Sequence, residues 1–372
     1  MAESRRQRIL VIARGHLGDM VGALPAFRDL RAGYQDAHIT VIANEYVSGL
    51  LERCPYVDQV IYGFAYRPRP TWRSIVSRLG LVPRIAGRYD IALCLRMSPR
   101  WGSLLGLLSG ARIRVGYRKR GLPGRLLTHD LGPEPRLRSN RLTNADVIRP
   151  LGLEPNLRLP RLDWLDPAER RRAEDLLAEN GVGPRTRFAV CQIATHWGCY
   201  EWRSEKWAAL ADHLSKVHDM KVVMVGAGEA FEKQKFGQIA ALSRAPVSIQ
   251  GKTTIPMLIH IVSRASLVVS TDSALTQVAL AQRVPAVIMF GIEPSVRNGP
   301  LREEVGTLME SIQYWEGEGR APAPNPNCRF GQNHCHTDMC CENSSLRRIE
   351  VDEVCHRVDR ILQRVGMVAS AR

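Results

Sequence analysis

No apolar run in this 372-residue chain approaches the roughly 20 residues that a membrane-crossing helix needs. The early stretch ILVIA falls short of the roughly 7–15 apolar residues of a secretory signal, and Arg14 interrupts it. A buried first strand and a cytoplasmic location are therefore expected. A paired cysteine set is also missing. The nine cysteines are odd in number, and Cys54, Cys94, Cys191 and Cys199 are scattered, which suits a reducing compartment better than a disulfide framework. Nucleotide fingerprints are incomplete too. There is no Walker loop, and VGAGEAFEK has Gly226 and Gly228 but Phe231 where the third glycine belongs, with no acid about 20 residues further on. A nicotinamide enzyme is not expected.

Acid is absent from residues 91–129, while Arg96, Arg100, Arg112, Arg114, Arg118, Lys119, Arg120 and Arg125 accumulate there. Residues 1–160 hold 26 Lys and Arg against 12 Asp and Glu, so nearly all of the chain's net charge of +15 lies in the first half. Such a face suits an anionic partner: a phosphorylated glycolipid, a membrane surface or nucleic acid. A solvated basic face is the plainer alternative, although confinement to one half argues against it. Nucleic acid is set aside because no stacking aromatics or known binding module accompany the cations.

What is present is a repeated alternation of strand and helix. RILVIA, HITVIAN, QVIYG, DIALCL and IRVGY read as strands of the first half. Helical spacing joins Met20, Ala23, Leu24, Phe27, Leu30 and Arg31. Residues of about 131–165 read as a Pro- and Arg-rich connection. The pattern then restarts with a helix capped by Asp166 and closed at Gly181, followed by RFAVCQIA, KVVMVGAG, VSIQG, LVVST and AVIMFG as strands. After a proline-rich loop comes a final helix, VDEVCHRVDRILQRVG. Short apolar runs alternating with helices indicate an α/β chain with two doubly wound parallel sheets. The expected divisions are residues 1–160, 161–350 and 351–372. Ligands in such sheets lie beyond the carboxyl ends of the strands.

Every candidate motif sits at a strand-to-helix junction: RGHLGD, ATHWGCYEWRSEKW, GAGE, GKTT, STDSALTQ and FGIEPSVRNGP. Helix N-termini there offer free N–H groups to anions such as diphosphate. Asp19, read alone, is an N-cap or dipole partner of a helix over residues 20–31.

In order and spacing these motifs, together with ILVIARGHLGDMVGALPAFRDL and RYDIALCLRMSPRWGSLLGLLSGARIRVGY, resemble glycosyltransferase family nine, the ADP-heptose:lipopolysaccharide heptosyltransferases, over nearly the whole chain. The resemblance implies the GT-B arrangement of two facing Rossmann-like domains, with the C-terminal helix returning to the first. The first domain would bind the acceptor and the second the nucleotide sugar.

The implied activity is inverting, metal-independent transfer of a sugar, heptose from ADP-heptose, to a lipopolysaccharide core or related glycan. By family analogy Asp19 is the general base, with Gly15 and Gly18 letting the acceptor approach. Donor contacts are implied at Thr195, His196, Tyr200, Arg203, Glu229, Thr253, Thr254, Thr271, Asp272, Ser273, Ala274 and Gln277. Tyr200 stands where the family has lysine, Arg203 where it has proline, Ala274 where it has glycine and Gln277 where it has histidine. Acceptor contacts are assigned to His16, Gly18, Arg96, Arg100, Arg118, Lys119 and Arg120. The apolar, basic stretch 71–84 suits peripheral contact with the inner membrane. No cofactor is implied. Rival readings are transfer from another nucleotide sugar and a non-catalytic glycan- or lipid-surface-binding protein on the same fold. Cys328, His334, Cys335, His336, Cys340 and Cys341 lack the spacing of a standard zinc finger, so a reduced cysteine loop is the default.

Overall fold

The central strands owe their place to short runs of apolar residues buried on both faces. In a computed structural model, residues 6–64, 80–96, 98, 101–118, 124–135, 137–164, 166–194, 201–291, 295–305, 308–313 and 345–370 are described. They fall into two units, Met1–Trp164 and Leu165–Arg372.

In the first unit, β1 (Arg8–Ile12) pairs in parallel with β2 (His38–Asn44) on one side and β4 (Ile91–Cys94) on the other. With β3 (Gln59–Phe64), β5 (Ile113–Arg118) and β6 (His129–Pro133), the sheet order is β3-β2-β1-β4-β5-β6. Leu10, Ile12, Ile42, Leu81, Ile85 and Leu105 form part of a core on one face. The second unit repeats the winding with β7 (Phe188–Gln192), β8 (Lys221–Val225), β9 (Pro246–Ser248), β10 (Leu267–Thr271), β11 (Ala286–Phe290) and β12 (Met309–Gln313), in the order β12-β11-β10-β7-β8-β9. In both sheets the first and fourth strands are neighbours, so the order reverses between them. The expected doubly wound architecture is present twice.

Four elements differ from the sequence reading. The helix after β1 runs Leu17–Gly33 and starts three residues early. The expected connection at 131–165 contains most of β6 and a helix at Asn140–Asp146. β6 is a partly exposed edge strand with no apolar run, and that helix buries Asn140, Arg141, Thr143 and Asn144, so neither has a hydrophobic period to read. β12 likewise lies in what reads as a loop. The stretch 71–84 falls mostly outside the described residues, as do Cys199 and the cysteine-rich segment 328–341. The thiols of Cys54 and Cys191 are free, and burial pushes both up to about 12.

The terminal helix, Val351–Ser370, packs into the core of the second unit. Val354, Val358 and Ile361 form its apolar stripe and enter a core with Trp202 and Trp207. The Trp202 indole N–H donates to the Ile349 carbonyl at 2.8 Å, and the two tryptophan rings meet edge to face at 5.1 Å. Beside the stripe, Arg357, Arg360 and Arg364 converge on Glu310 of β12, with Arg357 at 3.1 Å and Arg364 at 2.8 Å. Glu310 is only 5% exposed. Its burial would raise the carboxyl, but hydrogen bonds and charge from Arg360 and Arg357 outweigh that and hold it below the ordinary glutamate value.

Replacing Glu310 with Gln is therefore expected to lower unfolding free energy at pH 7 by about 1.5–3 kcal/mol, the range for hydrogen bonds to charged groups. The carboxylate's contribution is complete above the unfolded value of 4.5 and fades as pH falls through the lower folded value. Urea unfolding of parent and variant should thus differ at pH 7 and converge in acid. A difference constant with pH would contradict the assignment.

Candidate active site

In the first unit the crevice at the reversal point is bounded by the chain leaving β1 and the chain leaving β4. The turn after β1 is pinned by Asn44, whose side-chain amide donates to the Gly15 carbonyl at 3.0 Å. A Cβ at Gly15 would lie 2.7 Å from the Asp19 Cβ, so glycine is required there to make room for that side chain. Its role is spatial: among the described residues the glycines with positive φ do not include Gly15 or Gly18.

Because the helix begins at Leu17, its N-cap is His16 and Asp19 lies in the first turn. Asp19 reaches back to accept the His16 backbone N–H at 3.1 Å, one half of a reciprocal capping box. The N-cap reading of Asp19 is therefore corrected to a first-turn position. Arg96, two residues past β4, approaches from the other side. Its Nη1 donates to the second Asp19 oxygen at 3.3 Å, its Nε faces Glu134 at 3.2 Å, and its backbone N–H donates to the Asn144 side chain at 3.1 Å. Arg96 is 11% exposed, whereas Asp19 keeps 21% of its side-chain surface. The result is an oriented carboxylate, open to solvent, at the positive end of a helix.

The other acceptor candidates are dispersed. Arg96 is committed to two carboxylates, and Arg118 pairs with Asp130 at 2.8 Å. His16 is exposed and stacks on Tyr46 with ring centroids 6.1 Å apart, and Gly18 lies in the first helical turn. Arg100, Lys119 and Arg120 lie outside the described residues.

In the second unit the corresponding junction follows β10. Ser273 caps the helix Ala274–Gln282, accepting the Leu275 N–H, and shares a 2.7 Å hydrogen bond with Ser270. The backbone N–H of Asp272 donates to the Met289 carbonyl of β11, and its carboxylate accepts from the Asn298 amide at 3.2 Å. Gln277 donates to the Asn298 carbonyl at 2.6 Å. Thr271 Oγ1, Thr276 Oγ1 and Gln277 Oε1 are buried without a hydrogen-bond partner among the described residues. Three such atoms within seven residues mark a polar site suited to a hydrogen-bonding ligand.

The loop after β8 is closed to an external anion by its own chain. The Glu232 carboxylate accepts N–H groups from Ala227, Gly228 and Glu229 at 3.2, 2.5 and 2.9 Å. Gly228, with φ +83°, would place a Cβ 2.6 Å from the Gly251 Cα, so the loops after β8 and β9 touch backbone to backbone. Glu229 is the exposed N-cap of the helix Ala230–Leu242. Thr254 caps the helix Ile255–Arg264 and donates to Glu169 at 2.8 Å, a structural use, while Thr253 beside it is partly buried. Arg203 is the exposed N-cap of the helix Ser204–His218. Thr195, His196 and Tyr200 lie outside the described residues.

Sequence reasoning missed Asn44, Glu134, Asn144 and Asn298. Glu134 and Asn144 lie in the segment read as a connection, and a lone asparagine carries no periodic signal. Asn298 lies in FGIEPSVRNGP, a stretch with no periodic signal.

Residues 86–320 match glycosyltransferase family 9 (heptosyltransferase). Lipopolysaccharide heptosyltransferase 3 of Escherichia coli K12 is 24% identical over 310 residues, covering 81% of this chain and 85% of that relative. Among solved structures, a family 9 glycosyl transferase from Veillonella parvula aligns with a TM-score of 0.78 at 19% identity, over 96% of this chain and 97% of that one. An ADP-heptose lipopolysaccharide heptosyltransferase II from E. coli gives 0.69 at 21% identity, over 97% and 100%. These structural likenesses establish the fold, two doubly wound domains in series of the GT-B class.

Removing the Glu232 carboxylate strands three loop N–H groups. Glu232→Ala is expected to cost about 1–3 kcal/mol of unfolding free energy. An unchanged urea midpoint would show that water serves the loop equally well.

Proposed function

The chain belongs to glycosyltransferase family 9, the heptosyltransferases, and we propose that it moves heptose from ADP-heptose onto a lipopolysaccharide core sugar, with inversion and with Asp19 as general base. In this reading Asp19 takes the proton of the acceptor hydroxyl. The freed oxygen attacks the anomeric carbon from the face opposite the diphosphate, and the bond to the diphosphate breaks with its electron pair leaving on ADP. The observation that carries the proposal is the Asp19 carboxylate itself, aimed by the His16 N–H and Arg96 yet still open to solvent. Arg96 fixes where the base points, and Glu134 and Asn144 fix Arg96.

For the donor, the junction at Thr271–Ala274 offers a helix N-terminus and an unpartnered hydroxyl, the type of group that meets a diphosphate. Thr195, His196, Tyr200 and Arg203 are assigned to the same donor side by family analogy. The basic first half suits a phosphorylated, anionic acceptor. Among the described residues no helix is long and apolar enough to cross a membrane. We place the working enzyme at the cytoplasmic face of the inner membrane, where such an acceptor presents its sugars.

One observation favours a donor other than ADP-heptose. Gln277 replaces the histidine usual in the family, and its buried Oε1 awaits a donor group.

Asp19→Asn keeps the shape but cannot accept the proton. Turnover should fall by about 10²–10⁴-fold, the typical contribution of a general base, while calorimetric binding of the nucleotide sugar stays unchanged. Undiminished turnover would remove Asp19 from that role. A thermal-shift panel of nucleotide sugars separates the donors: ADP-heptose should raise the midpoint most, and a larger rise with another sugar would redirect the donor assignment.

A further inference from the structure

Away from both strand reversals, the C-terminal end of the helix Ser204–His218 meets the terminal helix through two histidines and one acid. His213 Nε2 and His218 Nε2 lie 2.8 and 2.6 Å from the same oxygen of Asp359. The imidazole rings are 5.3 Å apart at an interplanar angle of 69°. Their three ligand-type atoms lie within 4.8 Å of one another. We propose that His213, His218 and Asp359 bind a divalent transition cation of the zinc class, in a structural site separate from the sugar-transfer chemistry.

The donor set and its geometry carry this. Two neutral imidazoles and a carboxylate are ordinary zinc ligands, and a tetrahedral ion with bonds of about 2.1 Å sets its ligand atoms roughly 3.4 Å apart. The observed N···O distances are shorter by well under an ångström, a gap that side-chain rotation closes. Both Nε2 atoms already face the same Asp359 oxygen, so a small swing of that carboxylate, with the ring protons moved to Nδ1, opens a place for the ion between the three atoms. The two histidines are sheltered at 21% and 17% exposure while Asp359 is 46% exposed, leaving an open side where water completes the shell.

The groups around the trio agree with this. Burial opposes ionisation of Asp359, but the hydrogen bonds from His213 and His218 outweigh it and hold the carboxyl below its ordinary value, so the ligand is charged. Cys355, one turn earlier on the same helix, is not among the three groups whose ligand-type atoms converge. A bound cation would exchange two hydrogen bonds for three coordination bonds and tie the terminal helix to its neighbour. It would therefore stabilise the fold by mass action.

The test compares the full chain with the double variant His213→Gln, His218→Gln, dialysed against zinc alone under reducing conditions and analysed for metal. The parent should retain one more zinc per chain than the variant, a difference in which any zinc held by the cysteine-rich segment cancels. Equal stoichiometry in the two proteins would overturn the site, leaving a carboxylate shared by two imidazole N–H donors. If the double variant does not fold, long-range proton–nitrogen spectra of the parent carry the test. Zinc should shift the Nε2 resonances of two histidines, and imidazole resonances unmoved by zinc would overturn the proposal equally. Neither readout depends on transfer activity, so failure here leaves the role of Asp19 untouched.

Discussion

The reversal of strand order beside the first strand of each sheet is the constraint on which the chemistry depends. Right-handed crossovers carry the chain to one face on one side of β1 and to the opposite face on the other, so the loops leaving β1 and β4 diverge and leave a crevice between them. In the first unit that crevice brings Asp19 and Arg96, 77 residues apart in sequence, to 3.3 Å. In the second unit the reversal lies between β10 and β7, and the loop after β10 leaves from it. The same winding thus provides one oriented carboxylate and one cluster of unpartnered polar groups.

Charge in the basic half is less available than its composition implies. Arg96 is committed to Asp19 and Glu134, Arg114 to the Leu126 and Ala111 carbonyls, and Arg118 to Asp130. Arginine serves here as a fork that satisfies carboxylates and carbonyls at loop ends, as it does where three arginines of the terminal helix close on Glu310. The basic half keeps its net positive charge, but these arginines are already engaged within the protein.

The glycine-rich junctions show how one motif can serve two ends. Gly15 leaves space for the Asp19 side chain. Gly226 and Gly228 let a loop close over Glu232, an internal carboxylate that takes the N–H groups a phosphate would otherwise use. Incomplete spacing already argued against a dinucleotide there. The structure supplies the physical reason, since the anion position is filled by the protein itself.

How much was legible in the sequence follows from which signals are local. The alternation of apolar runs with helical spacing specified two parallel α/β sheets, because a strand buried on both faces needs nothing from its partners to be recognised. The order of the junction motifs specified the family and pointed to Asp19. Pairings between distant residues were not legible. The hold of Arg96, Glu134 and Asn144 on the Asp19 carboxylate and of Asn298 on Asp272, the terminal helix's place in the second core, and the meeting of His213, His218 and Asp359 all depend on which loops and helix faces the sheets bring together. β6 and the helix Asn140–Asp146 were missed for the same reason: they are held by edge pairing and buried polar contacts, which leave no hydrophobic period. Local composition determined the elements and their order, and only the winding of the sheets decided which side chains became neighbours.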